Sequence, residues 1–306
     1  LLVLVGAHLF PPYPPVLGPI SPLGHHTEGG DQVHHLGPAH FYALAVPDWL
    51  AGGHPAGLLI GGLVVNVVAI VTVVRFADRR LGAPGAAGVT LACVGLAYGL
   101  GPALLRDIWT PYLGLWPLLA LLVLCWSLLE GDLRALPWAA GFASFLAQIE
   151  MLFIGPAFVV TVVGVVGLMI QRRRHRGEQD QPSLRRPVIA STVVSLLIWL
   201  PVLWQELQGN PGNLTLLFES LSGQKDRAGW TFVWENMVAQ LQLPPVWLRR
   251  TSLPFEVGTD VSVAAIASAA LMTVVLMTLT GRAGFGLEPH HTAHSQQIKA
   301  DGYNAG

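Results

Sequence analysis

The chain has 306 residues, of which 52% are hydrophobic and 11% charged, with a formal net charge of −1 at pH 7. A soluble domain carries roughly a quarter charged residues, so this balance excludes an ordinary water-soluble globule. The charge is near zero and clustered by loop, and it offers no footprint for nucleic acid. The two cysteines, Cys93 and Cys125, lie in the middle of apolar runs. That placement excludes a disulfide framework or a thiolate metal site and reads as two buried thiols.

Lysine occurs only at Lys225 and Lys299, while Arg, Ala, Gly, Val and Leu are frequent. A GC-rich coding sequence produces that bias, and a bacterial plasma membrane is the expected setting. The sequence opens at Leu1 with LLVLV. Five apolar residues are too few for a signal-peptide core or a span, so further residues are expected upstream.

The first segment, PPYPPVLGPISPLGHHTEGGDQVHHLGPAHFYALAVP, is broken by prolines and glycines until about Leu36. Leu36 to Leu50 is short and carries His40, Pro47 and Asp48. It is expected to lie in the outer membrane interface, with Phe41, Tyr42 and Trp49 at headgroup level. A bilayer core of about 30 Å needs roughly 20 apolar residues per helix. Gly57–Val74, Gly85–Leu105, Pro111–Leu129, Ala135–Ile149, Leu152–Ile170, Val188–Trp204 and Val261–Thr280 meet or approach that length. The expected fold is therefore all-α: a polytopic transmembrane helical bundle of about seven spanning helices plus an outer interfacial helix.

Arginine placement sets the expected orientation. Of the 17 Lys and Arg residues, 12 fall on one side: Arg75, Arg79, Arg80, Arg134, the set from Arg172 to Arg186, Arg282 and Lys299. Arg106, Lys225, Arg227, Arg249 and Arg250 fall on the other. Positive-inside places the first group in the cytoplasm. The expected domains are an outward N-terminal loop and interfacial helix over 1–56, a core of six helices over 57–204, and an extracytoplasmic loop over 205–260. A last transmembrane helix over 261–282 and a disordered cytoplasmic tail over 283–306 follow.

Polar residues near the expected outer face are the candidates for chemistry. His25, His26, His34, His35 and His40 sit with Glu28 and Asp31 in the first loop. Their spacing matches no zinc signature, so a solvated set is preferred to a metal site, with phosphate binding as the functional alternative. Arg106 and Asp107, in GPALLRDIWTPYLGLWP, can bind a phosphate, or Asp107 can cap the helix that Pro111 opens. Gln148 and Glu150 end the run SFLAQIE at the edge of lipid, where a carboxylate usually has a reason to be. Asn66 is expected to hydrogen-bond a neighbouring helix. The arginines over 172–186 read as a stop signal drawn to anionic lipid. Asn213-Leu214-Thr215 is a glycosylation sequon by pattern alone, and His290, His291 and His294 fall in the tail.

Together PVLGPIS, HLGPAHFY, RDIWTPYL, SFLAQIE and NPGNL, in that order, resemble the GT-C superfamily of membrane glycosyltransferases. The likeness is to bacterial relatives of family 39, the protein O-mannosyltransferase and aminoarabinose-transferase kind, and covers roughly residues 13–220. The resemblance implies transfer of a sugar from a polyprenyl-phosphate carrier to an acceptor on the outer face of the bilayer. It implies an acidic general base in the first outward loop, here expected upstream of Leu1, and donors near the leaving phosphate. By position it makes His34, His35, Arg106, Asp107, Gln148 and Glu150 candidates for binding the donor. Leu36 stands where the family usually has Pro, Thr110 where it has Asn, and Glu150 where His is common. No cofactor is implied beyond an optional divalent cation; the lipid-linked sugar is a substrate and the acceptor is unspecified. A transporter or lipid translocase, and a non-catalytic membrane scaffold, stay open as alternatives. The lack of internal repeats and of mid-membrane charges counts against transport.

Overall fold

A computed structural model describes residues 15–21, 33–175, 182–223, 229–231 and 234. The chain divides into two units, residues 1–226 and 227–306. In the second, residues 230, 231 and 234 are helical and exposed. The expected span Val261–Thr280, the tail, most of the 205–260 loop and His25, His26, Glu28 and Asp31 lie outside the described residues.

Among the described residues of the first unit, the regular structure is helical apart from one antiparallel bridge between Ile20 and His34. The helices are α1 (Ala39–Leu50), α2 (Pro55–Leu100), α3 (Thr110–Leu113), α4 (Leu115–Leu129), α5 (Ala135–Ile149), α6 (Ile154–Arg174), α7 (Arg185–Gln208) and α8 (Asn213–Gly223). Short 3₁₀ turns, Pro102–Leu105 and Met151–Phe153, precede α3 and α6.

Among the described residues, four helical stretches are long and apolar enough to cross a membrane: Pro55–Leu100, Thr110–Leu129, Met151–Arg174 and Arg185–Gln208. Their outer faces carry large exposed apolar side chains, such as Phe158, Val159, Leu196, Leu197 and Leu200. At about 25 cal/mol per Å² of apolar surface, such faces are costly in water and cost nothing in lipid. The architecture is that of a helical membrane protein. Helix α5 has 15 residues, about 22 Å at 1.5 Å per residue, and falls short of the hydrocarbon thickness.

The helix boundaries have local causes. Pro55 opens α2 behind His54, whose Nδ1 accepts from the Ala56 amide at 3.2 Å; a proline at the first position costs nothing, because that amide has no partner in the helix. The 46 residues of α2 are two limbs, because Gly82 has φ 67° and ψ −174°, outside helical geometry. The second limb runs back along the first. Val89, Cys93, Leu96 and Ala97 pack with Ala69, Ile70 and Val73 around Trp116 and Ala120 of α4. At the far end the Asn66 amide donates to the carbonyls of Leu104 (3.4 Å) and Leu105 (2.9 Å). This is the interhelical bond expected of Asn66. The expected spans Gly57–Val74 and Gly85–Leu105 are thus the two limbs, the second ending as α-helix at Leu100.

Just past the end of α4, Gly131 has φ 84°, the left-handed conformation that stops a helix at least cost in glycine. Asp132 then starts α5 by accepting the Arg134 amide at 3.1 Å, while its other oxygen holds the Arg79 guanidinium at 2.8 and 3.0 Å. Leu121, Leu124, Cys125 and Leu128 of α4, with Ala139, Leu146 and Ile149 of α5 and Ala157 and Leu168 of α6, form the main core. Both cysteines are buried and free. Helix α1 lies against α2 and α5, with His40, Leu44, Ala45 and Asp48 buried and Trp49 exposed.

The limbs sort polar residues to two ends. Arg75, Arg79, Arg80, Arg134, Arg172–Arg174, Arg185 and Arg186 lie at the end marked by Gly82, Asp132 and the starts of α5 and α7. Residues 33–38, 101–110, 149–153 and 205–213 lie at the other.

Candidate functional site

At that second end, segments far apart in sequence meet around Glu150. The chain pairs residues 19–21 with 33–35, through Ser21 N to Val33 O at 2.9 Å and His35 N to Pro19 O at 2.8 Å. Gly18 permits this. A Cβ there would stand 2.7 Å from the Gly37 carbonyl oxygen and 2.8 Å from that of His35. Gly37 sits as tightly against Gln148 and Val202, and its amide donates to the Gln148 carbonyl at 3.3 Å. The glycines of PVLGPIS and HLGP are therefore close-approach residues that seat the His34–His35 strand on α5 and α7.

Glu150 occupies the break between α5 and the turn before α6. One carboxylate oxygen accepts the Met151 amide at 3.1 Å and the other accepts the Thr110 hydroxyl at 2.7 Å. His35 Nε2 lies 3.6 Å from that second oxygen, just beyond hydrogen-bond reach. The Glu150 side chain is 12% exposed and that of His35 is 3% exposed, so the carboxylate reaches the surface and the imidazole is enclosed. Burial drives the His35 pKa below its ordinary value; Glu150 opposes the shift and His34 adds to it. Its Nδ1 is buried without a hydrogen-bond partner.

The remaining polar groups hold this arrangement. His34 Nδ1 bonds the Gly18 carbonyl at 2.9 Å. Asn213, at the start of α8, accepts from the His34 amide at 3.0 Å and donates to the carbonyls of His34 (3.3 Å) and His35 (3.4 Å). Its own amide donates to Gln205 Oε1 at 3.0 Å. Glu206 closes the other side by accepting the Leu214 amide (2.8 Å) and the Thr215 hydroxyl (2.6 Å). The sequon pattern is thereby explained structurally: Asn213 is 3% exposed with its amide atoms engaged, and it is a strut between segments, out of reach of a modifying enzyme in the folded chain.

Gln148 is fully buried, and its Nε2 donates at 2.9 Å to the Ile198 carbonyl of α7. Pro201, three residues on, lacks the amide that would have met the neighbouring Leu197 carbonyl in the helix ladder. Gln148 thus ties α5 to α7. His40, on α1, bonds the Ile108 carbonyl through Nε2 at 3.0 Å. Burial holds its pKa down to about 4, against that bond and with a small contribution from His35.

Of the residues singled out from sequence, His34, His35, Gln148 and Glu150 are brought together. Arg106 and Asp107 sit on the adjoining segment. Arg106 is exposed and Asp107 half-buried, and among the described residues the two form no ion pair with each other. Asp107 Oδ1 accepts the Trp109 amide at 2.9 Å. That turn leads into α3 with Trp109 at the cap position, so Asp107 prepares the helix without capping it. Thr110, Gln205 and Asn213 were not singled out as site residues, although Thr110 and Asn213 lie inside quoted motifs; what marks them is contact across the fold. Among the described residues no group of three or more His, Cys, Asp or Glu is placed to hold a metal ion.

Chemically, the arrangement offers a surface-reaching carboxylate backed by a hydroxyl, an amide and a neutral imidazole. It can accept hydrogen bonds from hydroxyl groups. No protein family, curated protein or solved structure matches the chain.

Proposed function

We propose that the protein is a membrane glycosyltransferase of the GT-C kind, passing a sugar from a polyprenyl-phosphate carrier to an acceptor outside a bacterial plasma membrane. The observation that carries this reading is the convergence on Glu150. The segments whose order resembles that superfamily, 33–38, 106–110, 148–150 and 210–213, are joined there by hydrogen bonds. Thr110 and Glu150, two positions at which the chain departs from the family pattern, are bonded to each other at 2.7 Å, as a compensating pair would be.

In this reading Glu150, oriented by Thr110 and faced by His35, accepts hydrogen bonds from sugar hydroxyls. Exposed Arg106 supplies charge for the phosphate, where negative charge develops as the donor leaves. These are binding roles, and none of the cluster is assigned the general base. An apolar cleft of about 340 Å³ between α1, α5 and α7, lined by Tyr42, Phe145, Leu197 and Pro201 among others, lies beside the cluster and suits an isoprenoid tail. The gathering of arginines at the opposite end supports placing that end in the cytoplasm.

The test is transfer from radiolabelled polyprenyl-phosphate sugars by the protein held in nanodiscs. Transfer is expected, with Glu150→Gln raising the KM for donor about tenfold or more by replacing a charged acceptor. Absence of transfer from every donor, with substrate flux in liposomes instead, would assign the protein to translocation. Absence of both would make it a scaffold.

A further inference from the structure

A second feature, at the arginine end, is independent of that reading. The first limb of α2 and the start of α5 enclose a cleft of about 530 Å³ whose walls include Val68, Val71 and Trp138 and whose mouth carries Arg75, Arg79 and Arg134. Val68 and Trp138 also line a further apolar cleft of about 570 Å³, which continues between α2, α5 and α7 as far as Val64. From Arg75 to Val64 is about 16 Å of helix at 1.5 Å per residue, the depth of one leaflet of a core about 30 Å thick.

The charges at the mouth are unequal. Arg79 is held by Asp132 at 2.8 and 3.0 Å, and Asp132 is further occupied by the Arg134 amide. Among the described residues, Arg75 and Arg134 have no carboxylate partner; both are exposed, on two different helical segments flanking one apolar channel. Two unpaired guanidinium groups over a leaflet-deep apolar slot match a phosphate headgroup with an acyl chain below it. A basic pocket between helices recognises anionic lipid in this way.

We propose that this cleft is a binding site for an anionic phospholipid of the leaflet at the arginine end. Arg75 and Arg134 grip the phosphate, and one acyl chain lies along Val71, Val68 and Trp138.

The experiment is native mass spectrometry of the delipidated protein re-supplied with phosphatidylglycerol or phosphatidylcholine in detergent micelles. Wild type should retain phosphatidylglycerol in preference. Arg75→Gln with Arg134→Gln should weaken that retention about thirtyfold, two arginines at about 1 kcal/mol each. Arg75→Lys with Arg134→Lys should recover most of it. Val68→Trp, which fills the channel and leaves the charges in place, should displace the lipid as well. Thermal unfolding followed by a thiol-reactive dye at buried Cys93 and Cys125 checks that each variant is folded. Equal retention of the two lipids by wild type, or unchanged retention by the folded double Gln variant, overturns the site. Binding of soluble glycerol phosphate as tight as that of the whole lipid overturns the part given to the channel. A preference for a polyprenyl phosphate, lost in the same variants, would overturn the phospholipid assignment.

Discussion

Gln148 and Glu150 look alike in the sequence, two polar residues closing an apolar run, and packing separates them. Gln148 is sealed in and spends its amide on α7, while Glu150 keeps a carboxylate at the surface between Thr110 and His35. Nothing local in SFLAQIE encodes that difference, because it depends on which residues 40 and 50 positions away arrive beside each. The histidines divide in the same way. His40, read from sequence as a member of an outer-loop set, is a core residue whose neutral ring bonds Ile108. Its folded pKa of about 4 lies below the ordinary 6.5, so between those values the unfolded chain binds a proton that the fold refuses. Stability is therefore full above about pH 6.5 and falls as the pH drops toward 4, by about 3 kcal/mol at 1.36 kcal/mol per pKa unit. The thiol-dye melting temperature measured across that range should decline accordingly, and His40→Gln, which keeps a donor toward Ile108, should flatten the slope. His35 adds to the trend in the same direction. Gly37→Ala places a methyl group against Gln148 and Val202 and should cost about 1–3 kcal/mol by overpacking; an unchanged melting temperature would show that the strand is not seated as described.

Helices are where the sequence is most legible, since runs of apolar residues set both the length and the environment of a span. The limbs of α2, then α4, α6 and α7, all fall where hydropathy puts them. What hydropathy misplaces is the turn between the limbs. Arg75, Arg79 and Arg80 read as a loop after the first span, yet the helix continues through them. Arginine at a helix end keeps helical geometry by laying its aliphatic stem along apolar neighbours and its charge outward; Arg79 does so over Phe76, its guanidinium 5.9 Å from the ring centre. The reversal comes at Gly82, in a region of φ and ψ open essentially to glycine alone. Gly82→Ala should cost about 1–3 kcal/mol. Gly88→Ala, a few residues on where an added Cβ meets nothing within 4 Å, should be neutral or slightly stabilising by helix propensity. Equal melting temperatures for the two variants would remove the reversal from residue 82.

At the scale of the molecule, composition alone reveals the membrane class, and the arginine count reveals a polarity that the structure turns into two chemically distinct ends. The polar cluster was legible only as an ordered set of weak motifs, because its bonds link residues as far apart as His34 and Asn213. The proposed orientation has a direct check. Cysteines introduced singly at Leu207, which is 83% exposed, and at Ser183, exposed at the arginine end, should differ toward an impermeant thiol reagent on intact cells. Leu207→Cys should label and Ser183→Cys should not, while the native buried cysteines stay silent; the reverse pattern would invert the orientation. The Gly82 reversal also bears on biogenesis. Two limbs joined by a single residue cannot enter a bilayer one after the other with a hydrated connector waiting between them. They must partition together as a preformed pair; in the proposed orientation Arg75, Arg79 and Arg80 then stay on the side from which the hairpin enters, and the charges that cross are those at its far end, Arg106 and Asp107.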